Sequence, residues 1–288
     1  MDHTSIAFAI ITYYPKWYRG KLQSLKHTDK VRGDLALEFF TTALKQNYRV
    51  VVVDGKSTRS FIREIGKIPE IIIIKRKSLS RSISKRMAFR TASKLPNVKV
   101  IVATEAEKVS LLKNCIELMT GPILSDKADI VIPRRNEKLF KSSYPLFQYE
   151  SEKEGNQLYN EQLRAAGLLS NREDDLDIFF GPRAFLNDRK IVSLFMKQMH
   201  LKYGKHRLAT EKYFNPDDLS VAGFFPIALA LKKGFRVKSV EVPFTYPLTQ
   251  KRNEGEAQKS FFIEKRRWQK TSILIDLMYF LNGYFRKR

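Results

Sequence analysis

The sequence predicts an α/β protein with a mostly parallel, Rossmann-like sheet flanked by helices and followed by a C-terminal helical tail. Three observations predict this fold class. Short apolar runs alternate with helix-like segments, the runs are apolar at every position, and polar residues follow them. Strands that are apolar on both faces are typical of parallel sheets with helices on both sides. In such sheets ligands bind beyond the carboxyl ends of the strands.

The first half of the chain supplies the strands and helices in regular order. Short, β-branched runs that end in polar or glycine-containing turns predict strands. These runs are 5–12, 49–53, 71–74, 98–103 and 129–133. Apolar residues at a spacing of three or four predict helices between the strands. These helices are 35–44, a short one around 62–65, 80–95 and 110–119.

The second half is less regular. We predict a polar helix over 149–164, a strand over 177–180 and a turn at Gly181-Pro182. An apolar helix over 227–233 is expected to stop at Gly234, and a last strand follows over 235–243. Since the sequence contains no internal repeat and no low-complexity linker, we divide it into one domain, 1–248, and a basic helical tail, 249–288.

Composition restricts the class of protein. Hydrophobic residues make up 43% of the 288 residues, which is enough for a sizeable core. The single cysteine, Cys115, excludes an internal disulfide framework and a cysteine-rich zinc site. The apolar run 6–11 is too short for a signal peptide, and no stretch of about 20 apolar residues predicts a membrane span. We therefore expect a cytoplasmic protein, with peripheral membrane association as an option.

The net charge of +23 predicts an anionic partner, which could be nucleic acid, a membrane surface or a phosphorylated substrate. The alternative is a solvated, lysine-rich surface. Segment 75–94 contains eight basic residues and no acidic one. Its only aromatic residue is Phe89, which disfavours a stacking platform for nucleic acid. The same cations could instead bind phosphate as charged hydrogen-bond donors.

Glu105 and Glu107 directly follow the predicted strand 98–103. If the backbone stays extended, side chains two residues apart project in the same direction. Two carboxylates that converge in this way suit a divalent cation that also binds a diphosphate. Such a cation would neutralise the charge that develops on a leaving nucleotide. The alternative is a solvated first helical turn in which glutamate offsets the helix dipole.

Other aspartates are candidates for binding or for proton transfer. Asp54 follows a buried strand, where it could accept hydrogen bonds from a base or a ribose; the alternative is an ordinary Asp-Gly turn. Asp217 and Asp218 precede an apolar helix. One of them could be the general base for an acceptor hydroxyl, or a helix N-cap. The acidic cluster at 174–177 is a further place for the base.

Taken in order, these motifs resemble the glycosyltransferase family 2-like group of the GT-A fold, from about residue 6 to residue 247. Residues 10–14 look like the family's first strand and nucleotide-contacting loop, which places Thr12 and Tyr14 there. Residues 50–57 (VVVVDGKS) look like its second strand and base-binding turn, with Asp54 as the acidic residue.

The remaining motifs carry the resemblance further. Residues 80–92 are similar to the helix that approaches the donor diphosphate, with Lys85 and Arg86 in the matching place. Residues 100–107 (VIVATEAE) look like the strand that ends in an Asp-x-Asp metal motif, with glutamates one methylene longer. Residues 179–185 resemble the segment that flanks the acceptor site. Residues 217–219 resemble the Glu-Asp-x-x-Leu motif of the catalytic base, with Asp-Asp in place of Glu-Asp.

The resemblance implies a hexosyltransferase-like glycosyltransferase that takes a nucleoside-diphosphate sugar and inverts the anomeric centre. It implies a divalent cation, Mn²⁺ or Mg²⁺, on Glu105 and Glu107, with Glu105 also at the donor. It implies Asp218, or with less support Asp217, as the base, and it names no acceptor. Two alternatives stay open. A nucleotidyltransferase would show a glycine-rich phosphate loop near the first strand, yet residues 1–19 contain no glycine. A non-catalytic protein with this fold could bind nucleic acid or membrane.

The tail contains a nearly continuous apolar segment, 273–285, between basic clusters at 265–267 and 286–288. At 13 residues this segment is too short to span a bilayer. Three interpretations remain. The segment could lie at an anionic membrane surface with its cations at the head groups, pack against the domain as a core helix, or form an oligomer interface.

Overall fold

A computed structural model describes residues 2–76, 80–171, 175–198 and 223–285. Its centre is a seven-stranded sheet in the order β3-β2-β1-β4-β6-β5-β7. Strand β6 runs antiparallel to both of its neighbours, and the other pairs are parallel. The predicted α/β fold class is therefore confirmed. The strands are Ile6–Thr12 (β1), Arg49–Asp54 (β2), Ile72–Lys75 (β3), Val100–Thr104 (β4), Ile130–Arg135 (β5), Arg183–Leu186 (β6) and Val237–Val242 (β7).

Helices cover both faces of the sheet. Single 3-10 turns occur at His3–Ser5, Val109–Lys113 and Ile178–Phe180, and a π-helical turn at Asn253–Ala257. The α-helices are Thr28–Lys45 (α1), Arg59–Ile65 (α2), Arg81–Ala92 (α3), Cys115–Leu124 (α4), Glu137–Ser143 (α5), Leu146–Ala165 (α6), Arg189–Met196 (α7), Phe225–Lys232 (α8), Leu248–Arg252 (α9) and Lys259–Phe285 (α10).

Two local predictions are wrong. Segment 177–180 is not a strand, since Ile178–Phe180 forms a 3-10 turn and the strand begins only at Arg183. Gly181 lies between them at φ +103°, a left-handed conformation that interrupts extended backbone. The helix predicted over 110–119 is divided into two, because Asn114 is extended at φ 172° between a 3-10 turn and α4.

The core forms two layers, one on each face of the sheet. Alternate residues of β1 separate them, with Phe8 packed against Phe39 of α1 on one side and Ala7 and Ala9 on the other. The second layer contains apolar side chains from α3, α8 and α10. Because every strand position contacts one layer or the other, the central strands are apolar throughout.

The tail helix α10 belongs to this second layer. Ile273, Leu277 and Phe280 are fully buried, and the ring of Phe280 stacks on Phe225 with 4.3 Å between centroids. The structure thus shows the interpretation in which the tail packs against the rest of the chain. Met278 of this segment is a large apolar side chain that stays exposed. Among the described helices, none is long and apolar enough to cross a membrane.

Candidate active site

The carboxyl ends of β2, β1 and β4 lie side by side at one edge of the sheet. Thr12 pairs in register with Asp54, and Ile10 pairs with Thr104. Because these three strands are parallel neighbours, the polar residues after them meet at this edge, as the sequence predicts. The edge therefore brings together the loop after Thr12, the turn after Asp54 and the segment that contains Glu105.

Asp54 organises the turn that follows β2. Its Oδ1 accepts a hydrogen bond from the Thr12 hydroxyl at 2.9 Å, and its Oδ2 accepts the backbone N–H groups of Lys56 and Ser57, both at 3.0 Å. Asp54 is 4% exposed and Thr12 3%. A carboxylate has roughly four acceptor positions, so about one is left. A nucleotide contact by Asp54 or Thr12 stays a prediction, and the turn is the role that the hydrogen bonds define.

The side chain of Tyr14 lies in the core. Its ring meets Phe61 edge-on at 4.8 Å, and its hydroxyl hydrogen-bonds to Glu107. Burial, followed by the charge of Glu107, raises the pKa of Tyr14 well above its ordinary value. Contact between Tyr14 and a nucleotide stays a prediction, since its ring is buried and its backbone N–H already donates to the Ser57 hydroxyl.

Tyr13 is a candidate that the sequence analysis did not single out. Its ring is 54% exposed, and the Arg76 guanidinium carbon lies 5.4 Å from the ring centre. Arg76 crosses the turn at Gly55, where an added Cβ would come within 2.6 Å of that carbon. Glycine at position 55 thus leaves space for the guanidinium. An exposed ring next to a planar cation offers a stacking surface for a base.

Glu105 and Glu107 occupy different environments although only one residue separates them. The side chain of Glu105 is 55% exposed and lies 3.8 Å from the Lys108 ammonium. Partial burial works to raise the pKa of Glu105, but attraction to Lys108 and Lys85 outweighs it and lowers this pKa. Gly181 faces the same carboxylate, since a Cβ there would lie 2.9 Å from its Oε2. Glu105 is therefore an accessible and fully ionised carboxylate.

Glu107 is buried at 9% exposure. Its carboxylate lies 4.0 Å from Arg32 and hydrogen-bonds to Tyr14. Burial raises the pKa of Glu107, and the charge of Arg32 offsets this only in part. The two glutamates do interact electrostatically, so they lie near each other, but they have different partners.

Three cations surround Glu105. Lys85 comes from α3, Lys108 from the segment after β4 and Arg183 from the first position of β6. Burial lowers the pKa of Lys85 to about 8 and that of Arg183 to about 10, although Glu105 attracts both. Arg183 donates to the carbonyls of Gly181 and Ile178. No carboxylate in the described part of the chain lies within ion-pair distance of Lys85 or Arg183.

Arg86, which follows Lys85 in α3, is buried at 9% exposure. Neighbouring residues of a helix project in different directions, so the pair does not act as one donor group. The electrostatic contacts of Glu105 include Lys85. A donor contact by Lys85 is consistent with this position, whereas one by Arg86 stays a prediction.

A buried ionic network lies beside the site. Arg135 donates to both oxygens of Asp177, at 2.7 and 2.6 Å, and to Glu152 at 2.5 Å. Arg266 of the tail helix lies 3.4 Å from Glu152 and 3.4 Å from Glu254. Asp177 is thus fully engaged, which removes it as a candidate for the base. The network connects β5 and α6 to the C-terminal helix.

The predicted base lies outside this description. Asp217 and Asp218 fall in the interval between residues 198 and 223, and Asp174 lies between residues 171 and 175. Their assignment stays a prediction. Asp175 forms an ion pair with Arg164 of α6.

The donor set at this edge fits a divalent cation in part. No group of three or more histidine, cysteine or acidic side chains that could hold a metal occurs among the described residues. Of the two glutamates, Glu105 offers the accessible, ionised carboxylate, so diphosphate oxygens would have to complete the coordination. Glu107 as second ligand stays a prediction that requires its carboxylate to leave Arg32 and Tyr14.

No family model and no curated protein matches the chain. Among solved structures it is similar to S. aureus TarS, with 11% identity over 98% of this chain and 72% of that chain and a TM-score of 0.41. It is also similar to glucosyl-3-phosphoglycerate synthase from Mycobacterium tuberculosis, solved with Mn²⁺, UDP and glucosyl-3-phosphoglycerate (8% identity, 95% and 78% coverage, TM-score 0.48).

A third similar structure is described as a nucleotide-diphospho-sugar transferase from Desulfovibrio desulfuricans G20, with 8% identity, coverage of 94% and 98%, and a TM-score of 0.41. At these identities and TM-scores the likeness concerns the fold alone. No activity and no residue role follows for this chain from any of the three.

Proposed function

We propose that the protein is a glycosyltransferase that moves a sugar from a nucleoside-diphosphate sugar to an acceptor hydroxyl. One observation carries the proposal. The accessible carboxylate of Glu105 is surrounded by Lys85, Lys108 and Arg183 at the carboxyl edge of a parallel sheet. The oxygens of a diphosphate would accept charged hydrogen bonds from these basic side chains, while its cation would bind at Glu105.

In this proposal Glu105 would hold Mn²⁺ or Mg²⁺, with the donor diphosphate as the other ligand. The cation would neutralise the charge that develops on the departing nucleoside diphosphate. Lys85 and Arg183 donate charged hydrogen bonds to the same diphosphate. Their positions on α3 and β6 are fixed by the sheet, so these donors need little reorganisation during the reaction. Tyr13 and Arg76 provide the surface for the base.

The acceptor half of the reaction rests on the family resemblance. Asp218, or with less support Asp217, removes the proton from the acceptor hydroxyl as that oxygen attacks the anomeric carbon. Such an attack from the face opposite the leaving diphosphate inverts the anomeric centre. A cytoplasmic location and contact with an anionic membrane surface belong to the same proposal.

Nucleotide-sugar hydrolysis tests the proposal. Purified protein is incubated with UDP-glucose, UDP-N-acetylglucosamine or GDP-mannose, with Mn²⁺, Mg²⁺ or EDTA, and released nucleoside diphosphate is measured. We expect release from at least one donor, dependence on the cation, and loss of release in Glu105→Gln and Lys85→Met. Lys259→Met, at an exposed lysine that starts α10, is the control and should leave release unchanged. Absence of both hydrolysis and donor binding by calorimetry would contradict the proposal.

A further inference from the structure

A second group of cations lies where the tail helix α10 passes the site. Lys265 and Arg32 share the buried ring of Phe262, at 5.1 and 5.8 Å from its centre. Arg266, the next residue of the helix, is also part of this group through its ion pair with Glu254. Three positive side chains from α1 and α10 therefore surround one apolar ring and one carboxylate.

The carboxylates near this group already form hydrogen bonds and ion pairs with other side chains. Glu254 is fully buried and accepts hydrogen bonds from Arg32 at 2.8 Å, Gln250 at 3.0 Å and Arg266 at 3.4 Å. Glu152 accepts hydrogen bonds from Arg135 and Gln148 and forms an ion pair with Arg266. Lys265 has no carboxylate within ion-pair distance in the ranges that the structure describes. The positive charge of Lys265 is thus not compensated by a nearby carboxylate among the described residues.

Two further donors are unsatisfied. The Nε–H groups of Arg32 and Arg266 are buried and lack a hydrogen-bond partner among the described residues. Unsatisfied buried donors are costly, and a ligand that accepts from them would recover this free energy. These two donors and the Lys265 ammonium are therefore the groups of this cluster that an added acceptor would satisfy.

Electrostatics places this group next to the candidate active site. Burial, and then repulsion from Arg32 and Arg266, lowers the pKa of Lys265 to about 7, while Glu254 opposes the shift. Arg81, the first residue of α3, repels both Lys265 and Lys85. Arg81 thus lies within electrostatic range of both the tail lysine and Lys85, which places the two groups of cations near each other.

We propose that Lys265, together with Arg32 and Arg266, binds a phosphate group of a substrate. The inference rests on the proposed function in one respect, since that reaction offers two sources of phosphate: the donor diphosphate and a phosphorylated acceptor. It adds the C-terminal helix to the substrate-binding surface. Both sources share the same chemistry: negatively charged phosphate oxygens that accept from an ammonium and from two guanidinium groups.

Calorimetric titration of inorganic phosphate into the full-length protein tests the inference, with and without saturating UDP. Lys265→Met should weaken phosphate binding by about tenfold or more, the share of one charge-assisted hydrogen bond. Lys265→Arg should retain most of the affinity. Lys259→Met, on the same helix, is the matched control and should bind as the wild type does. Thermal unfolding of each variant establishes that it is folded.

The UDP arm distinguishes the sources. If phosphate binds equally well with UDP present and Lys265→Met still weakens it, the site takes an acceptor phosphate. If UDP displaces phosphate and Lys265→Met also weakens UDP, the site takes the donor diphosphate. Either result supports the inference. Equal affinities of wild type, Lys265→Met and Lys259→Met for phosphate and UDP would overturn it, as would a wild type that binds neither.

Failure of the inference differs from failure of the proposed function. Donor hydrolysis that depends on Glu105, with phosphate and UDP binding indifferent to Lys265, would retain the transferase and remove the phosphate site. Phosphate binding that depends on Lys265, in a protein that neither binds nor hydrolyses any nucleotide sugar, would retain the site and remove the transferase.

Discussion

Two clusters of charged side chains lie close together in this fold, and their ion pairs are arranged in opposite ways. In the buried network, Arg135 donates three hydrogen bonds within 2.7 Å to Asp177 and Glu152. Around Glu105, the closest ion pair spans 3.8 Å, and Lys85 has no carboxylate partner among the described residues. Removing one partner from a matched buried pair destabilises a structure, whereas unmatched cations at a strand end are available to a ligand.

The largest expected effect comes from breaking the matched cluster. Arg135→Met leaves Asp177 and Glu152 buried without their cation, which should lower the free energy of unfolding by about 3–5 kcal/mol. Arg236→Met is the control, because that side chain is 45% exposed in its pairs with Asp126 and Asp129. It should cost at most about 1 kcal/mol. Urea unfolding measures both, and equal losses would contradict the distinction between the clusters.

The next test concerns the unmatched cluster. Glu105→Gln should lower cation-dependent donor turnover on the order of 100-fold, because an electrostatic group at the leaving diphosphate is lost. Its melting temperature should stay that of the wild type. Glu107→Gln should instead raise the melting temperature, because burial disfavours the ionised Glu107 carboxylate by more than the charge of Arg32 offsets. Equal losses of turnover and cation dependence in both variants would support the two-carboxylate metal site that the sequence predicts.

A third variant separates catalysis from donor binding at this site. Asp218→Asn should lower turnover by about 100-fold, the usual contribution of a positioned base, while donor affinity is retained. Initial rates and calorimetry with the donor measure the two quantities. If only Asp217→Asn shows this loss, Asp217 is the general base. Unchanged rates in both variants would show that neither aspartate is the base.

The smallest expected effect is on the stability of a variant at Lys265. Replacing Lys265 should stabilise the fold, although it should weaken phosphate binding. The pKa of Lys265 is lowered to about 7, whereas an unfolded lysine titrates near 10.4. Below pH 7 the side chain is charged in both states, and the buried charge destabilises the fold fully. Between about pH 7 and 10.4 the unfolded state binds more protons, so this destabilisation declines as pH rises.

Lys265→Met should therefore raise the melting temperature by about 2–4 °C at pH 6, with a difference that shrinks toward pH 10. Differential scanning calorimetry at several pH values measures it, with Lys259→Met as the control. A variant that is less stable than the wild type at pH 6 would show that the ammonium is matched in the folded protein after all.

The sequence predicts the sheet well because its information is local. Each central strand is an apolar run that ends in a polar turn, so β1, β2 and β4 are found within two residues of their ends. Strand β6 is missed because Arg183 opens it with a buried charge, which strand patterns do not predict. The sequence does indicate the preceding Gly181-Pro182 turn.

The site is predicted only in part, because its charges are matched over long distances. Glu105 and Lys85 follow from motifs next to strand ends. The roles of Asp177 and Arg32 do not, since their partners lie 42 and 222 residues away along the chain. The same holds for Lys265, whose neighbours come from α1, α3 and α10. The sequence of a segment gives its net charge. Only the fold shows which of these charges form ion pairs with residues that are distant in sequence.

The contact between Arg32 and Glu254 has a consequence for the order in which the protein is made. A ribosome releases Arg32 long before Glu254 exists, and the two are separated by 222 residues. Until then the Arg32 guanidinium of α1 lacks Glu254, which lies 2.8 Å away and is nearer than Glu107 at 4.0 Å, and contacts at such separation form late in folding. A shortened chain that ends before residue 254 would therefore lack both its last stabilising ion pairs and the phosphate surface, so the proposed substrate site is assembled only on finished molecules.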